Sequence, residues 1–270
     1  MAILGAHMSM AGGYYRAVDA AEDHGCDCVQ LFTKNNNQWR ARPIEDHDVT
    51  LFRQSLEKTG IQFTLSHASY LINLASPDDE LWKKSIDAMV IELERADRLG
   101  IPYVVVHPGS YTSSSEEVGI KRIGKALDEI HRQAKTLSSQ CLLETTAGQG
   151  TNLGWKFEQL AGMLDATSSP DQVGICLDTC HVFAAGYAMQ TEKQYLAMWR
   201  KFQRTVGLRK LRAFHLNDSK RACGSRVDRH ENIGHGEMGL EPFRYLVNDK
   251  RFQDRPMYLE TPKGTYRRRP

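Results

Sequence analysis

The 270-residue sequence has no apolar run approaching the ~20 residues that a membrane-spanning helix needs. Its first ten residues lack the basic segment that opens an export signal and read instead as a short strand. Neither sign of charge is in excess: 35 Lys and Arg stand against 33 Asp and Glu, a formal charge of +2 that neither demands nor excludes a polyanionic partner. Proline and glycine, at 9 and 21 residues, are too few for a collagen-like or low-complexity chain. Six cysteines, at 26, 28, 141, 176, 180 and 223, form no Cys-x-x-Cys pair, and Cys26 and Cys28 are too close for an easy bridge. A disulfide scaffold and a cysteine-rich structural metal site are thereby set aside, and a cytoplasmic setting with reduced, mostly core thiols is expected. A chain of this length buries enough surface to fold on its own core, and no linker or composition break divides it, so residues 1–270 are expected to form one domain.

What is present is a repeating strand-then-helix pattern. Apolar runs at 3–7, 28–32, 61–66, 102–106, 140–143, 172–177, 211–214 and 256–259 read as strands. Segments 14–24, 45–58, 77–99, 115–137, 156–164, 192–205 and 241–247 read as helices, several with apolar residues at helical spacing, such as Trp82, Ile86, Met89 and Leu93. Pro77 is expected in the first turn of its helix, and Gly60 and Gly100 as C-caps. Eight strands in about 250 residues, alternating with helices, suit an α/β fold of the closed (β/α)₈ TIM-barrel type, with an open doubly wound sheet as the alternative.

The residues that close the strands carry the chemistry. His7, His67, His107, Glu144, Asp178, His215 and Glu260 each stand where an apolar strand gives way to a loop. In a barrel these ends converge on the C-terminal face, where active sites sit. One strand-end histidine is ordinarily a hydrogen-bonded structural residue; seven convergent imidazoles and carboxylates would be left repelling or unpaired without cations. Two further segments extend the set: His181 follows the sixth strand, and Asp228 and His230 lie in a long seventh loop over 217–239. The mixture of imidazole and carboxylate suits Zn²⁺ or Mn²⁺ in a catalytic site, and the ligands are too many for one ion. Cys176 and Cys180 flank Asp178 and are expected to point away from its side of the strand.

These residues lie in motifs. Gly5-Ala-His-Met-Ser, Leu31-Phe-Thr-Lys-Asn, Ser66-His-Ala-Ser-Tyr, Val106-His-Pro-Gly and Leu143-Glu-Thr-Thr-Ala-Gly-Gln-Gly come first. Leu177-Asp-Thr-Cys-His, His215-Leu-Asn-Asp-Ser-Lys, Asp228-Arg-His-Glu-Asn-Ile-Gly-His-Gly and Leu259-Glu-Thr-Pro follow. In this order, from about Gly5 to Pro262, the chain resembles the endonuclease IV family, the zinc-dependent apurinic/apyrimidinic endonucleases of base-excision repair. The resemblance implies three Zn²⁺ at the C-terminal face of a TIM barrel, with Mn²⁺ admissible at one site. It implies that His67 and His107 hold the first ion and that Glu144 bridges it to the second. Asp178, His215 and Glu260 complete the second, and His181, Asp228 and His230 hold the third. Three such ions against Glu144, Asp178, Asp228 and Glu260 leave the cluster net positive, which favours an anionic phosphoester. The implied chemistry is attack by a zinc-bridging hydroxide on the phosphodiester 5′ to an abasic site, leaving a 3′-hydroxyl and a 5′-deoxyribose phosphate, with trimming of blocked 3′ ends as a second activity. Glu144 is assigned as metal bridge and Glu260 as ligand and proton acceptor, the two catalytic carboxylates.

The implied partner is double-stranded DNA carrying abasic sites or blocked 3′ ends, bound by a monomer away from any membrane. An abasic site offers no base to read, so side chains must occupy the gap. Tyr70 and Leu71 match the duplex-penetrating position, His7 matches a residue beside the metals, and Lys34, Asn35, Asn37 and Gln38 form a second DNA-facing loop. That loop departs from the family: well-known members carry Arg where this chain has Asn37, and weaker affinity or altered lesion preference is expected. The C-terminus departs too, with Lys263-Gly-Thr-Tyr-Arg-Arg-Arg-Pro in place of a final helix, and the basic tail is a candidate DNA contact. Two rivals remain: a metal-dependent sugar isomerase or epimerase on the same barrel, against which the His181, Asp228 and His230 triad argues, and a lesion-binding protein without turnover.

Overall fold

A computed structural model describes residues 1–262; the basic tail, with Arg267, Arg268 and Arg269, lies outside the described residues. The elements in chain order are β1 (Ile3–His7), α1 (Tyr14–Asp23), β2 (Cys28–Phe32), α2 (Asp46–Thr59), β3 (Phe63–His67), α3 (Asp79–Leu99), β4 (Tyr103–Val106), α4 (Glu116–Gln133), β5 (Gln140–Glu144), α5 (Phe157–Ala166), β6 (Val173–Asp178), α6 (Thr179–Ala184), α7 (Glu192–Thr205), β7 (Leu211–Leu216), β8 (Asp218–Ser219), β9 (His230–Glu231), α8 (Glu241–Asn248) and β10 (Pro256–Leu259). Eight strands close in the order β1-β10-β7-β6-β5-β4-β3-β2, every pairing parallel. The fold is the TIM barrel that the strand count implies. Among the described residues no helix is long and apolar enough to cross a membrane.

Two apolar layers hold it. The larger lies between strands and helices and includes Leu31, Met89, Leu143, Phe202 and Phe214. The smaller plugs the barrel: Cys28, Leu65, Val105, Leu142, Cys176, Ala213 and Tyr258, one from each of seven strands. Side chains alternate along a strand, so the residue two places further on faces the same way. From this plug that rule leads to Gln30, His67, His107, Glu144, Asp178, His215 and Glu260. The polar layer above the plug is thus a consequence of strand period applied to seven parallel strands. The same period corrects the expectation for Cys176: it faces the interior, on the side of Asp178.

Helix boundaries follow local chemistry. Gly60 and Gly100 cap α2 and α3 at φ of 73° and 77°, a left-handed conformation that glycine takes without steric cost. Pro77 lies ahead of α3, because Asp78 is the N-cap and accepts a hydrogen bond from the Leu81 amide at 2.8 Å. The fourth helix ends at Gln133, short of the expected 137. Helix α6 and the antiparallel pair β8–β9 are absent from the sequence reading; α6 springs directly from β6, with Asp178 accepting from the His181 amide at 2.8 Å.

Gly5 marks the closest approach in the barrel wall. A Cβ there would stand 1.8 Å from the Cys28 carbonyl oxygen, a backbone atom that cannot swing aside. Overpacking typically costs ~1–3 kcal/mol, and in chains of this size each kcal/mol shifts the midpoint by about 2–4 °C. Gly5→Ala is therefore expected to lower the thermal midpoint by about 5–10 °C; an unchanged midpoint in a calorimetric scan would contradict the tight β1–β2 seam.

Candidate metal centre

The polar layer gathers around Glu144, which ends β5 with no solvent exposure. Its Oε2 lies 3.2 Å from His67 Nε2 and 3.0 Å from His107 Nε2. Its Oε1 lies 2.9 Å from His215 Nδ1 and 3.3 Å from His181 Nδ1. Glu260 Oε2 approaches the same His215 Nδ1 at 3.3 Å, and Asp178 joins these donors. On the other side of Asp178, His181 Nε2 is 3.1 Å from Asp228 Oδ2, and His230 Nε2 is 3.3 Å from Asp228 Oδ1 and 3.4 Å from His181 Nε2. The structure thus brings together the nine residues expected as metal ligands, in four overlapping groups, one of which also takes in Cys180. Cys180 lies near Asp228 and His230, so its expected orientation away from the ligands is also corrected.

Hydrogen bonding fixes what several of these rings present. His67 Nδ1 donates to the Ala68 carbonyl at 2.8 Å, and His181 Nδ1 donates to the Thr145 carbonyl at 2.8 Å. In the neutral ring the Nε2 lone pairs then face the cluster. The facing Nε2 atoms of His181 and His230, with a carboxylate beside both, are a repulsive arrangement that a cation between them relieves. Ligand bonds of ~2.0–2.1 Å in a tetrahedral site separate donor atoms by about 3.3 Å, close to the spacings here. The donor set fits divalent metal.

Electrostatics points the same way. Burial opposes ionisation of Glu144, yet the imidazoles of His215 and His107 hold its carboxyl well below the usual range. Burial likewise opposes ionisation of Asp228, and the His181 hydrogen bond and charge bring it down to about 2. Anionic carboxylates here are ready to bind cations at neutral pH.

Residues that sequence reading passed over hold this layer in place. Asn217 donates from Nδ2 to Asp178 at 2.6 Å and accepts from the Glu260 amide at 3.0 Å. Thr145 Oγ1 accepts from the Asp178 amide at 2.9 Å. Gln30, fully buried in β2, contacts His7, His215 and Glu260; a lone amide inside the apolar run Cys28–Phe32 was its signal.

The DNA-facing candidates ring the mouth. Tyr70 is exposed, its ring centred 5.2 Å from His67 and 5.7 Å from His107, with Leu71 half-buried beside it. Asn35, Asn37 and Gln38 are exposed on the second loop, where the Asn37 amide donates to Asn35 Oδ1 at 2.9 Å. His7 packs on Phe32 at a centroid distance of 4.5 Å. Lys34 departs from the expectation of a DNA contact. It is buried, paired with Glu92 at 3.3 Å, and donates to the Gln38 carbonyl at 2.6 Å. Glu92 also accepts from the Ser69 amide at 3.0 Å, so one buried carboxylate ties the two loops to α3.

The long seventh loop is fastened by Asp218. Its buried carboxylate accepts amide hydrogen bonds from Gly234 and Gly236 at 3.0 Å and from Met238 at 3.1 Å. Hydrogen bonds to charged groups contribute ~1.5–3 kcal/mol each. Asp218→Ala is expected to speed tryptic cleavage at Arg221, Arg226 and Arg229 by about tenfold or more; wild-type protection in that segment would contradict this anchoring.

Comparison with known proteins agrees with the geometry. The model of the xylose isomerase-like TIM barrel family matches residues 18–270. "Probable endonuclease 4" of Trichlorobacter lovleyi is 49% identical over 261 residues, covering 97% of this chain and 93% of the relative. Its namesake from Chloroflexus aurantiacus is 48% identical over 260 residues, covering 96% and 91%. The crystal structure of endonuclease IV from Thermus thermophilus superposes with a TM-score of 0.85 at 37% identity, covering 97% of this chain and 93% of that one. A D-tagatose 3-epimerase-like protein, at TM-score 0.71 and 19% identity, covers 95% of this chain and 90% of its own, and shares the fold alone. With close to half of its residues matched over nearly the whole length of such relatives, the chain belongs to the endonuclease IV family.

Proposed function

We propose that this protein is a DNA-repair endonuclease that hydrolyses the phosphodiester 5′ to abasic sites in duplex DNA. The products are a 3′-hydroxyl and a 5′-deoxyribose phosphate, and the same centre trims blocked 3′ ends. The observation that carries this reading is the fully buried Glu144 carboxylate, with one oxygen toward His67 and His107 and the other toward His215. A bridging carboxylate between two ion positions has this form. His67, His107 and Glu144 would hold one Zn²⁺; Glu144, Asp178, His215 and Glu260 a second; His181, Asp228 and His230 a third. Bound there, zinc supplies Lewis acidity toward phosphoester oxygens and acidifies water at neutral pH.

The chain's own residues do the rest. Glu260, partly exposed at the mouth, is the carboxylate available to accept a proton from the attacking water. Tyr70 packs its ring over His67 and His107 yet remains exposed, the side chain best placed to fill a gap in the base stack, with Leu71 next to it in sequence. Asn35, Asn37, Gln38 and His7 offer polar groups to the backbone. The protein works as a monomer in the cytoplasm. A sugar epimerase of the same fold would not need the third ligand group.

Four outcomes test the reading. A duplex with one tetrahydrofuran abasic analogue, which cannot undergo β-elimination, is expected to be cut 5′ to the lesion with a 3′-hydroxyl end; an intact duplex after zinc loading would overturn the activity. Glu144→Gln should reduce the incision rate more than about 100-fold, beyond the loss typical of residues that only support a ligand. Removal of metal by dipicolinate should lower the thermal midpoint, with recovery on adding zinc, because a ligand bound only by the folded state stabilises it. Asn37→Arg should tighten binding to abasic duplex several-fold in an anisotropy titration, and an unchanged dissociation constant would remove any role for that departure.

A further inference from the structure

Gln30 occupies a position that the ligand set does not explain. It is fully buried on the inward face of β2, and its amide reaches three side chains of the metal layer. Nε2 donates to Glu260 Oε1 at 2.5 Å and stands 2.9 Å from His7 Nδ1; Oε1 stands 2.7 Å from His215 Nε2. We infer that Gln30 is a positioning residue whose single amide fixes the ring tautomers of both His215 and His7, so that His215 presents Nδ1 as its metal-binding atom and His7 carries its ring proton on Nε2.

Donor and acceptor roles decide the assignment. An ionised carboxylate only accepts, so the amide edge facing Glu260 must be the NH₂. Turning the amide over would set two oxygens against each other there. With the nitrogen so fixed, the amide oxygen faces His215 Nε2, which must therefore carry hydrogen. In a neutral ring Nδ1 is then the lone-pair atom, and Nδ1 is the atom that lies 2.9 Å from Glu144 and 3.3 Å from Glu260. The second amide hydrogen meets His7 Nδ1, which accepts, and the His7 proton is left on Nε2. His67 and His181 use the opposite tautomer, each donating from Nδ1 to a backbone carbonyl at 2.8 Å and presenting Nε2. His215 enters the layer from the other ring edge, and a side-chain amide supplies the acceptor that backbone supplies for the other two. Outer partners of this kind orient ligating histidines and raise their basicity.

The inference rests on the metal reading proposed above, and its test separates the two. Zinc-loaded protein labelled with ¹⁵N-histidine is expected to show His215 coordinated through Nδ1 and protonated at Nε2. Gln30→Met, similar in length but without the amide, should weaken zinc binding roughly ten- to a hundredfold in competition with a chromogenic chelator. The thermal midpoint of its zinc-free form should stay near that of the zinc-free wild type. Coordination of His215 through Nε2, or wild-type zinc affinity in Gln30→Met, would overturn the role given to Gln30. Should that variant fail to fold, the wild-type spectrum alone decides the tautomer. A wild type that binds no zinc would instead overturn the metal reading itself, and this inference with it.

Discussion

The carboxylate of Glu144 meets four imidazoles, those of His67, His107, His181 and His215, within 3.3 Å and without solvent. A second carboxylate, Glu260, shares His215 with it. Burying so many polar groups is costly unless each has a partner of the right sign. Protons alone would have to be shared among facing ring nitrogens and crowded carboxylate oxygens. Divalent ions satisfy the same atoms at their existing spacing, and this requirement organises the rest of the molecule.

The barrel meets it by geometry that asks little of the sequence. Seven of the eight inward strand faces carry one residue of an apolar plug and, two places later, one polar residue of the layer above, as Leu142 and Glu144 do on β5 and Ala213 and His215 on β7. The plug sets the height of the layer, and supports such as Asn217 and Gln30 set its orientation. Loops then bring in what the strands cannot reach. Helix α6 carries His181 from the end of β6, while Asp218 gathers the amides of Gly234, Gly236 and Met238 and so folds the segment bearing Asp228 and His230 back over the mouth.

Much of this was legible in the sequence because strand ends are conspicuous: an apolar run that stops at His67, His107, Glu144 or Glu260 announces both the strand and its polar tip. His181, Asp228 and His230 were weak as local patterns and gained force only in company. Supports were harder to read. Gln30 is a neutral amide whose role depends on β10 and β7 approaching it, and Asp218 lies beside Asn217 in a segment without helical or strand period. Lys34 misled for a related reason, since a lysine in a polar loop reads as exposed until Glu92, far along the chain on α3, is seen beneath it. Cys176, expected on the face away from Asp178, lies on the same inward face of β6 because the two are two residues apart along the strand.

The proposed binding of three divalent ions by this layer is the claim on which the account of the chemistry rests. Native mass spectrometry of the protein purified without chelator, with elemental analysis of the same sample, measures that binding directly. Three zinc ions per chain, lost stepwise on acidification and restored by zinc, are the expected result. A chain that remains metal-free in the presence of excess zinc, while folded, would contradict it.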